Sequence, residues 1–166
     1  MILRNEEESD VEAIAEVTIA PFKSLPIGNH TDQYVVSALR AADALAVSLV
    51  AEVHCQVIGH VAFSPVTISD GSQGWYGVGP VSVLPEMQRQ GVGKSLMNEG
   101  LRLLREPGVK GCVLVGDPNY YSRFGFRNLP DLVLEGIPQL YFLALPFGDN
   151  KARGVVVFHE GFAATS

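Results

Sequence analysis

The chain has 166 residues, 47% of them apolar and 18% charged, enough to bury one core without disulfides or metals. Twelve basic against eighteen acidic residues leave a net charge of −6, which disfavours an electrostatically driven nucleic-acid binder. Two cysteines, Cys55 and Cys112, make no disulfide framework and point to a reducing, cytoplasmic setting.

The opening MILRNEEESD lacks the basic and apolar regions of a signal peptide, and no apolar run nears the ~20 residues of a spanning helix, so no membrane partner is expected. Ile2-Leu3 reads as a first strand. Ser9 and Glu12 have capping-box spacing, followed by Val11, Ile14, Ala15, Thr18 and Phe22 on one helical face. Pro21 ends that helix, and a Pro26–Gly28 turn leads into a second one from Thr31 to Arg40. Leu45–Val53 and Val57–Ser69 are β-branched strands joined by a tight hairpin at His54-Cys55-Gln56, and Asp70-Gly71-Ser72 turns into a third strand, Trp75–Leu84. Helical periodicity returns at Val92, Leu96, Met97, Leu101 and Leu104 and stops at Glu106-Pro107-Gly108. Val109–Val115 is a continuous apolar run, a strand buried on both faces. A short helix at Tyr120–Phe124 is closed by Gly125, and strands at Tyr141–Leu145 and Val155–Phe158 finish the chain. The order β, α, α, β, β, β, α, β, α, β, β predicts one α/β domain, residues 1–166, built on a sheet of mixed direction.

The most informative stretch is Val81–Leu96, VSVLPEMQRQGVGKSL. A strand ends, a proline breaks it, and a Gly-x-Gly turn opens a helix whose unpaired amides can cradle an anion. Glycines there can also serve only a tight turn. A Walker A loop needs glycine five positions before Gly93, where Gln88 stands, and a dinucleotide fingerprint needs Gly or Ala where Leu96 stands. Both nucleotide readings fail. What fits is Gln/Arg-x-x-Gly-x-Gly/Ala, met by Gln88-Arg89-Gln90-Gly91-Val92-Gly93 after a Val-x-Val-x-Pro strand end. This resembles the acetyl-CoA loop of the GNAT N-acetyltransferase superfamily. A second family motif, Tyr-x-x-x-Gly-Phe, is met by Tyr121, Gly125 and Phe126, ~30 residues on with one helix between. The tail Gly154–Phe162, GVVVFHEGF, is similar to that of small single-domain bacterial members, so the resemblance covers nearly the whole chain.

The resemblance implies a mostly antiparallel sheet with a splayed parallel pair, flanked by helices, and direct transfer of acetyl from acetyl-CoA to an amine. It implies that the amides of Arg89, Gln90, Gly91, Val92, Gly93 and Lys94 hold the coenzyme pyrophosphate, with Gln88 and the Ser95 hydroxyl beside them. It also implies that Val81, Ser82 and Val83 pair with the pantetheine arm, although ordinary strand pairing would account for Val81 and Val83 as well. Tyr121 occupies the position of the family's general acid, suited to protonate a departing thiolate, or else packs beside Tyr120 and Phe124. Tyr120 is expected to point elsewhere, and Asn119 to cap the short helix or bond the coenzyme arm.

No base stands out. Relatives carry histidines on the fourth strand where this chain has Gly77 and Gly79, and Trp75–Leu84 holds no glutamate. His30, His54 and His159 fall in loops, a hairpin and the tail. His60, within a strand, is the best placed of the four. Glu86 is read as solvated, Cys112 as an inert core residue, and no cluster has metal-ligand spacing. The partner is then an amine, small or protein-borne, and a homodimer is compatible with the resemblance. The rival is a non-catalytic acyl-CoA sensor on the same fold.

Overall fold

The structure is a computed structural model that describes residues 1–22 and 31–166. Strand β1 (Ile2–Asn5) leads through a 3-10 turn at Glu8–Asp10 into helix α1 (Val11–Ile19). The start of that helix departs from the expected Ser9–Glu12 box. The box forms earlier, between Glu7 and Asp10: the Asp10 carboxylate accepts the Glu7 amide at 2.7 Å and is gripped by Arg4 of β1 at 2.7 and 3.0 Å. Ser9 stays exposed, because Arg4 draws its neighbour inward instead. A turn at Ala20–Phe22 follows, while the predicted Pro26–Gly28 turn, His30 and the side chain of Phe22 lie outside the described residues.

Helix α2 (Asp32–Ala41) precedes the long meander β2 (Val47–Val53), β3 (Gln56–Ile68) and β4 (Trp75–Val83). His54 and Cys55 both have positive φ, 50° and 63°, as a two-residue hairpin turn that follows strand twist requires. Helix α3 (Val92–Leu104), strand β5 (Gly111–Val115) and the single turn α4 (Pro118–Tyr121), continued as a 3-10 turn to Phe124, come next. Strands β6 (Leu132–Val133), β7 (Phe142–Pro146) and β8 (Gly154–Phe158) end in a turn at Glu160–Ala163. β6 was not foreseen. It is two residues long, and its pairing with β8 rather than its own sequence defines it.

The sheet runs β1-β2-β3-β4-β5-β7, antiparallel except for β4 with β5. β8 continues antiparallel along the end of β3, at Val66–Ile68, and β6 lies parallel to it. One irregularity positions the site. Between Val61↔Val81 and Phe63↔Val78, two steps on β3 match three on β4, so β4 bulges at Gly79-Pro80. β5 pairs with β4 only at Trp75, Tyr76 and Gly77, before the bulge, and its Leu114 and Val115 pair with β7 alone. The expected splayed parallel pair is present.

α3 covers one face through Val92, Leu96, Met97, Leu101 and Leu104, packed on Leu49, Val61, Phe63, Val78 and Leu114. Strand alternation turns Val50 to the opposite face, where it meets Ile14 of α1 and Val36 of α2. Gly100 lets α3 approach closely, since a Cβ there would stand 2.8 Å from Phe63 Cζ. Gly100→Ala should therefore cost about 1–3 kcal/mol through forced displacement of helix or ring, read as a lower melting temperature. An unchanged melt would contradict this seating.

A partly buried polar cluster ties the residue after β1 to α2, β2 and β3 on the face away from α3. Glu6 pairs with Arg40 at 2.8 Å, Ser48 donates to Glu6, and His60 Nε2 lies 2.8 Å from Ser48 Oγ. Burial pushes the His60 imidazole down to about 4, with Glu6 opposing and Arg40 reinforcing the fall. A depressed folded value stabilises the fold above the unfolded value of 6.5, and that contribution is lost as pH falls through about 4. On the order of 3 kcal/mol of stability should disappear across that window from this one residue. Denaturant titrations of His60→Gln should show a shallower loss from pH 6.5 to 4, the remainder belonging to Asp10 and Glu6. Parallel pH curves would contradict it.

Candidate functional site

The segment after β4 is shaped by its backbone. Leu84-Pro85 ends the strand, a 3-10 turn spans Pro85–Met87, and the chain then passes through Arg89 at φ 64° and Gly91 at φ 84°. A non-glycine residue at positive φ is uncommon, so Arg89 marks a strained loop. Gly91 is the left-handed N-cap of α3, and a Cβ on it would meet no atom within 4 Å. Its glycine is needed for conformation, not for space. The Ser95 amide bonds the Gly91 carbonyl at 3.0 Å, so the helix keeps its own donors from that position onward. The amides of Val92, Gly93 and Lys94 precede the first intrahelical bond and remain available at the helix mouth. Gln88 anchors the loop by donating its side-chain amide to the Val83 carbonyl at 3.0 Å, and Gln90 does the same to Glu86 at 3.3 Å.

Beside this mouth lies the gap between β4 and β5. Leu84 donates its amide to Ile58 on β3 at 2.9 Å. Alternation along a strand then turns the amides of Val83 and Val81 away from β3, into the gap where β5 has withdrawn. The result is a groove of about 490 Å³ lined by Val81, Val83, Gln88, Arg89, Gly91, Val92, Gly93, Lys94 and Tyr121, together with Met87, Tyr120 and Arg123.

The structure thus brings together nine of the residues singled out from sequence and leaves four aside. Ser82 is buried and faces the other side of the sheet, as the residue between Val81 and Val83 must. Ser95 and Gln90 do not line the groove. Asn119 is exposed and does not cap α4; the Asp117 carboxylate does, accepting the Asn119 amide at 2.9 Å.

Tyr121 is half-buried, its ring seated on Gly116 and edge-on to Phe126 with centroids 6.2 Å apart. Burial, and secondarily Tyr120, raise its phenol above the ordinary value, so the hydroxyl stays protonated. Tyr120 does not point away as expected. A Cβ on Gly93 would lie 3.4 Å from the Tyr120 hydroxyl, so this ring leans over the helix mouth. Arg123 stacks on it at 4.4 Å from the ring centroid and donates to its carbonyl at 2.8 Å. Spacing three apart on a helical turn was the signal that could have linked Arg123 to Tyr120. Arg89, Lys94 and Arg123 make the groove rim cationic on a chain that is acidic overall.

Elsewhere, Glu86 is exposed as read, and Cys112 is buried in the core with its thiol pushed up by burial. His159 caps the final turn, its Nδ1 accepting from Gly161 at 2.9 Å. No helix among the described residues is long and apolar enough to cross a membrane.

Comparison with known proteins places this geometry. The chain is 37% identical over 170 residues to the uncharacterized N-acetyltransferase YhbS of Escherichia coli K12, covering 98% of both. It is 46% identical to a GNAT family acetyltransferase from Brucella melitensis, crystallised with acetyl-CoA, with a TM-score of 0.85 over 97% of both chains. The crystal structure of Escherichia coli YhbS with CoA superposes with a TM-score of 0.87 at 32% identity, over 99% of this chain and 93% of that one. Residues 12–126, from early α1 through the Tyr-x-x-x-Gly-Phe motif, match the acetyltransferase (GNAT) family, and the chain belongs to it.

Proposed function

We propose that the protein moves an acetyl group from acetyl-CoA to an amine in a ternary complex, in the cytoplasm. The observation that carries this is the unpaired amide edge at Val81 and Val83, opening into a groove whose other end is the mouth of α3. An extended pantetheine arm has its own amides and can pair with that edge as a missing strand would. The pyrophosphate then falls at the free amides of Val92, Gly93 and Lys94, where the helix dipole and the cationic rim favour it. The complexes of the two relatives with acetyl-CoA and CoA support the same occupant here.

The chemistry follows from the same placement. The amine lone pair attacks the thioester carbonyl, an N–C bond forms, and the carbonyl oxygen takes the negative charge. A β4 amide aimed into the gap can hold that oxyanion. The adduct collapses as the C–S bond breaks, and the departing thiolate takes the Tyr121 hydroxyl proton. A phenol kept protonated by burial is in the right state to give it.

Two measurements test this reading. Acetyl-CoA should raise the melting temperature as RT ln(1 + [L]/Kd) dictates, while ATP with magnesium should do no more than another polyanion. Gly91→Ala should cost about 1–2 kcal/mol in stability and weaken the acetyl-CoA shift, whereas Gly91→Asn should be milder because asparagine tolerates left-handed φ. Absence of any shift with millimolar acetyl-CoA would remove the coenzyme from the account. Separately, thiol release with an amine panel should show Tyr121→Phe slowed by about 10²-fold with acetyl-CoA affinity nearly kept, and Tyr120→Phe turning over near normally. Full turnover by Tyr121→Phe would leave that ring a packing group. Binding without turnover by the wild type would favour the sensor.

A further inference from the structure

A proton donor needs a fixed aim, and the helix that carries Tyr121 cannot supply one. α4 is four residues long, and a single turn has little stability of its own. Its backbone is set by its ends. The Asp117 carboxylate accepts the Asn119 amide at 2.9 Å, and the Asp117 carbonyl accepts the amides of Tyr120 and Tyr121 at 3.1 and 3.0 Å. Gly125, at φ 96°, closes the 3-10 turn that follows. These bonds fix where the Tyr121 backbone stands and leave the direction of its side chain to packing. The ring meets Tyr120 edge-on with centroids 4.8 Å apart, and Phe124 and Phe126 each at 6.2 Å. Those neighbours are side chains, and two of them ride on the same short turn.

The firm contact is with backbone, at Gly116 just after β5. A Cβ there would stand 2.8 Å from Tyr121 Cδ2 and 3.3 Å from Leu114 Cδ1, so the ring occupies the place where any other residue would carry its first side-chain carbon. The conformation of Gly116 does not ask for glycine. Its φ lies outside the left-handed range, in contrast to Gly91, and on that ground alone alanine would be admitted. Nor is the backbone free to move aside. The Gly116 amide donates to the Tyr141 carbonyl at 2.9 Å, one step beyond the Val115↔Phe142 pair of β5 and β7, and the next residue, Asp117, is held as the cap of α4. A methyl group at this position has to be accommodated by the ring, and the ring lines the groove.

We propose, resting on the reading of Tyr121 as general acid, that Gly116 is a positioning residue for acetyl transfer: the missing side chain at the end of β5 gives the Tyr121 ring a backbone floor and so sets where its hydroxyl stands in the groove. Gly116 touches no reacting atom and acts through the ring alone. The step it governs is the one in which the phenol O–H bond breaks and the departing sulfur takes the proton. The phenolate then regains a proton from solvent, to which the acceptor nitrogen has lost one, and the site is reset. Such a transfer needs donor and acceptor within hydrogen-bond reach, and a misplacement of about 1 Å can cost on the order of 10²-fold in rate. The same seat accounts for the burial that keeps the phenol protonated until the thiolate leaves.

The test uses the full chain carrying Gly116→Ala, Tyr121→Phe or both, in a thiol-release assay with polyamines, arylalkylamines, aminoglycosides and peptide N-termini. Carbon-13 spectra of ring-labelled tyrosine follow the phenol, with Tyr121→Phe assigning its signal. Gly116→Ala should lower kcat by about 10- to 10²-fold on the best amine and keep acetyl-CoA affinity within about threefold. In that variant the Tyr121 phenol should titrate nearer the ordinary tyrosine value, because the ring has left its seat. Adding Gly116→Ala to Tyr121→Phe should cost less than about twofold more, since the proton whose placement the glycine serves is already gone. A merely structural role would make the two losses multiply, or lower the melting temperature and leave kcat. Either result, or a Tyr121 titration unchanged in Gly116→Ala, overturns the assignment while the transfer reading stands. Should Gly116→Ala not fold, Tyr121→Ala is added to it: a fold regained upholds the competition of methyl and ring for one place, and a fold still lost overturns it. Wild-type turnover by Tyr121→Phe removes the general acid and this proposal with it. A wild type that binds acetyl-CoA and acetylates none of the amines removes the transfer reading itself, and the proposal falls with that.

Discussion

One extra residue in β4 organises the molecule. Without the bulge at Gly79-Pro80, β4 and β5 would stay paired along their length, and the amides of Val81 and Val83 would be consumed by the sheet. A bulge bends its strand and sharpens the local twist, and proline contributes no N–H to the pairing it interrupts. The parallel pair therefore opens after three residues, and a sheet otherwise closed to ligands acquires an internal edge. An unpaired strand edge is a liability on a surface but a binding device inside a groove. The glycine loop, α3 and the Tyr120-Tyr121 turn are arranged around that opening. The loop is tethered to the end of β4 by Gln88, and α3 is seated on the sheet through Gly100 and Phe63.

What was legible in the sequence was local. Gln88–Gly93 and Tyr121–Phe126 each encode a turn with its own glycine, so the chemistry and the conformation are written within six residues. The long amphipathic α3 and the buried run of β5 were legible for the same reason, since periodicity is a short-range property. Bounds of these elements moved by one or two residues, which is the ordinary uncertainty of strand and helix ends.

What was not legible depends on partners far apart in the chain. The capping box moved from Ser9–Glu12 to Glu7–Asp10, where Arg4 on β1 reaches the Asp10 carboxylate. Asn119 lost the cap to Asp117, a residue equally suited by type and better placed by the Pro118 start. Tyr120 was assigned away from the groove because successive helical residues diverge, yet α4 is too short to separate them and both rings reach it. The Glu6, Arg40, Ser48 and His60 cluster joins the residue after β1 to α2, β2 and β3, and nothing in the neighbourhood of any one of them announces the other three.

The central claim is that the β4 edge beyond the bulge is vacant until the coenzyme arm pairs with it. Amide hydrogen exchange at Val81 and Val83, resolved by residue with and without acetyl-CoA, tests it most directly. Both amides should exchange quickly in the free protein relative to Leu84, whose amide is bonded to Ile58, and should slow markedly on saturation. If acetyl-CoA binds tightly while Val81 and Val83 exchange at the same rate as before, the arm does not complete the sheet, and the account of this groove is wrong.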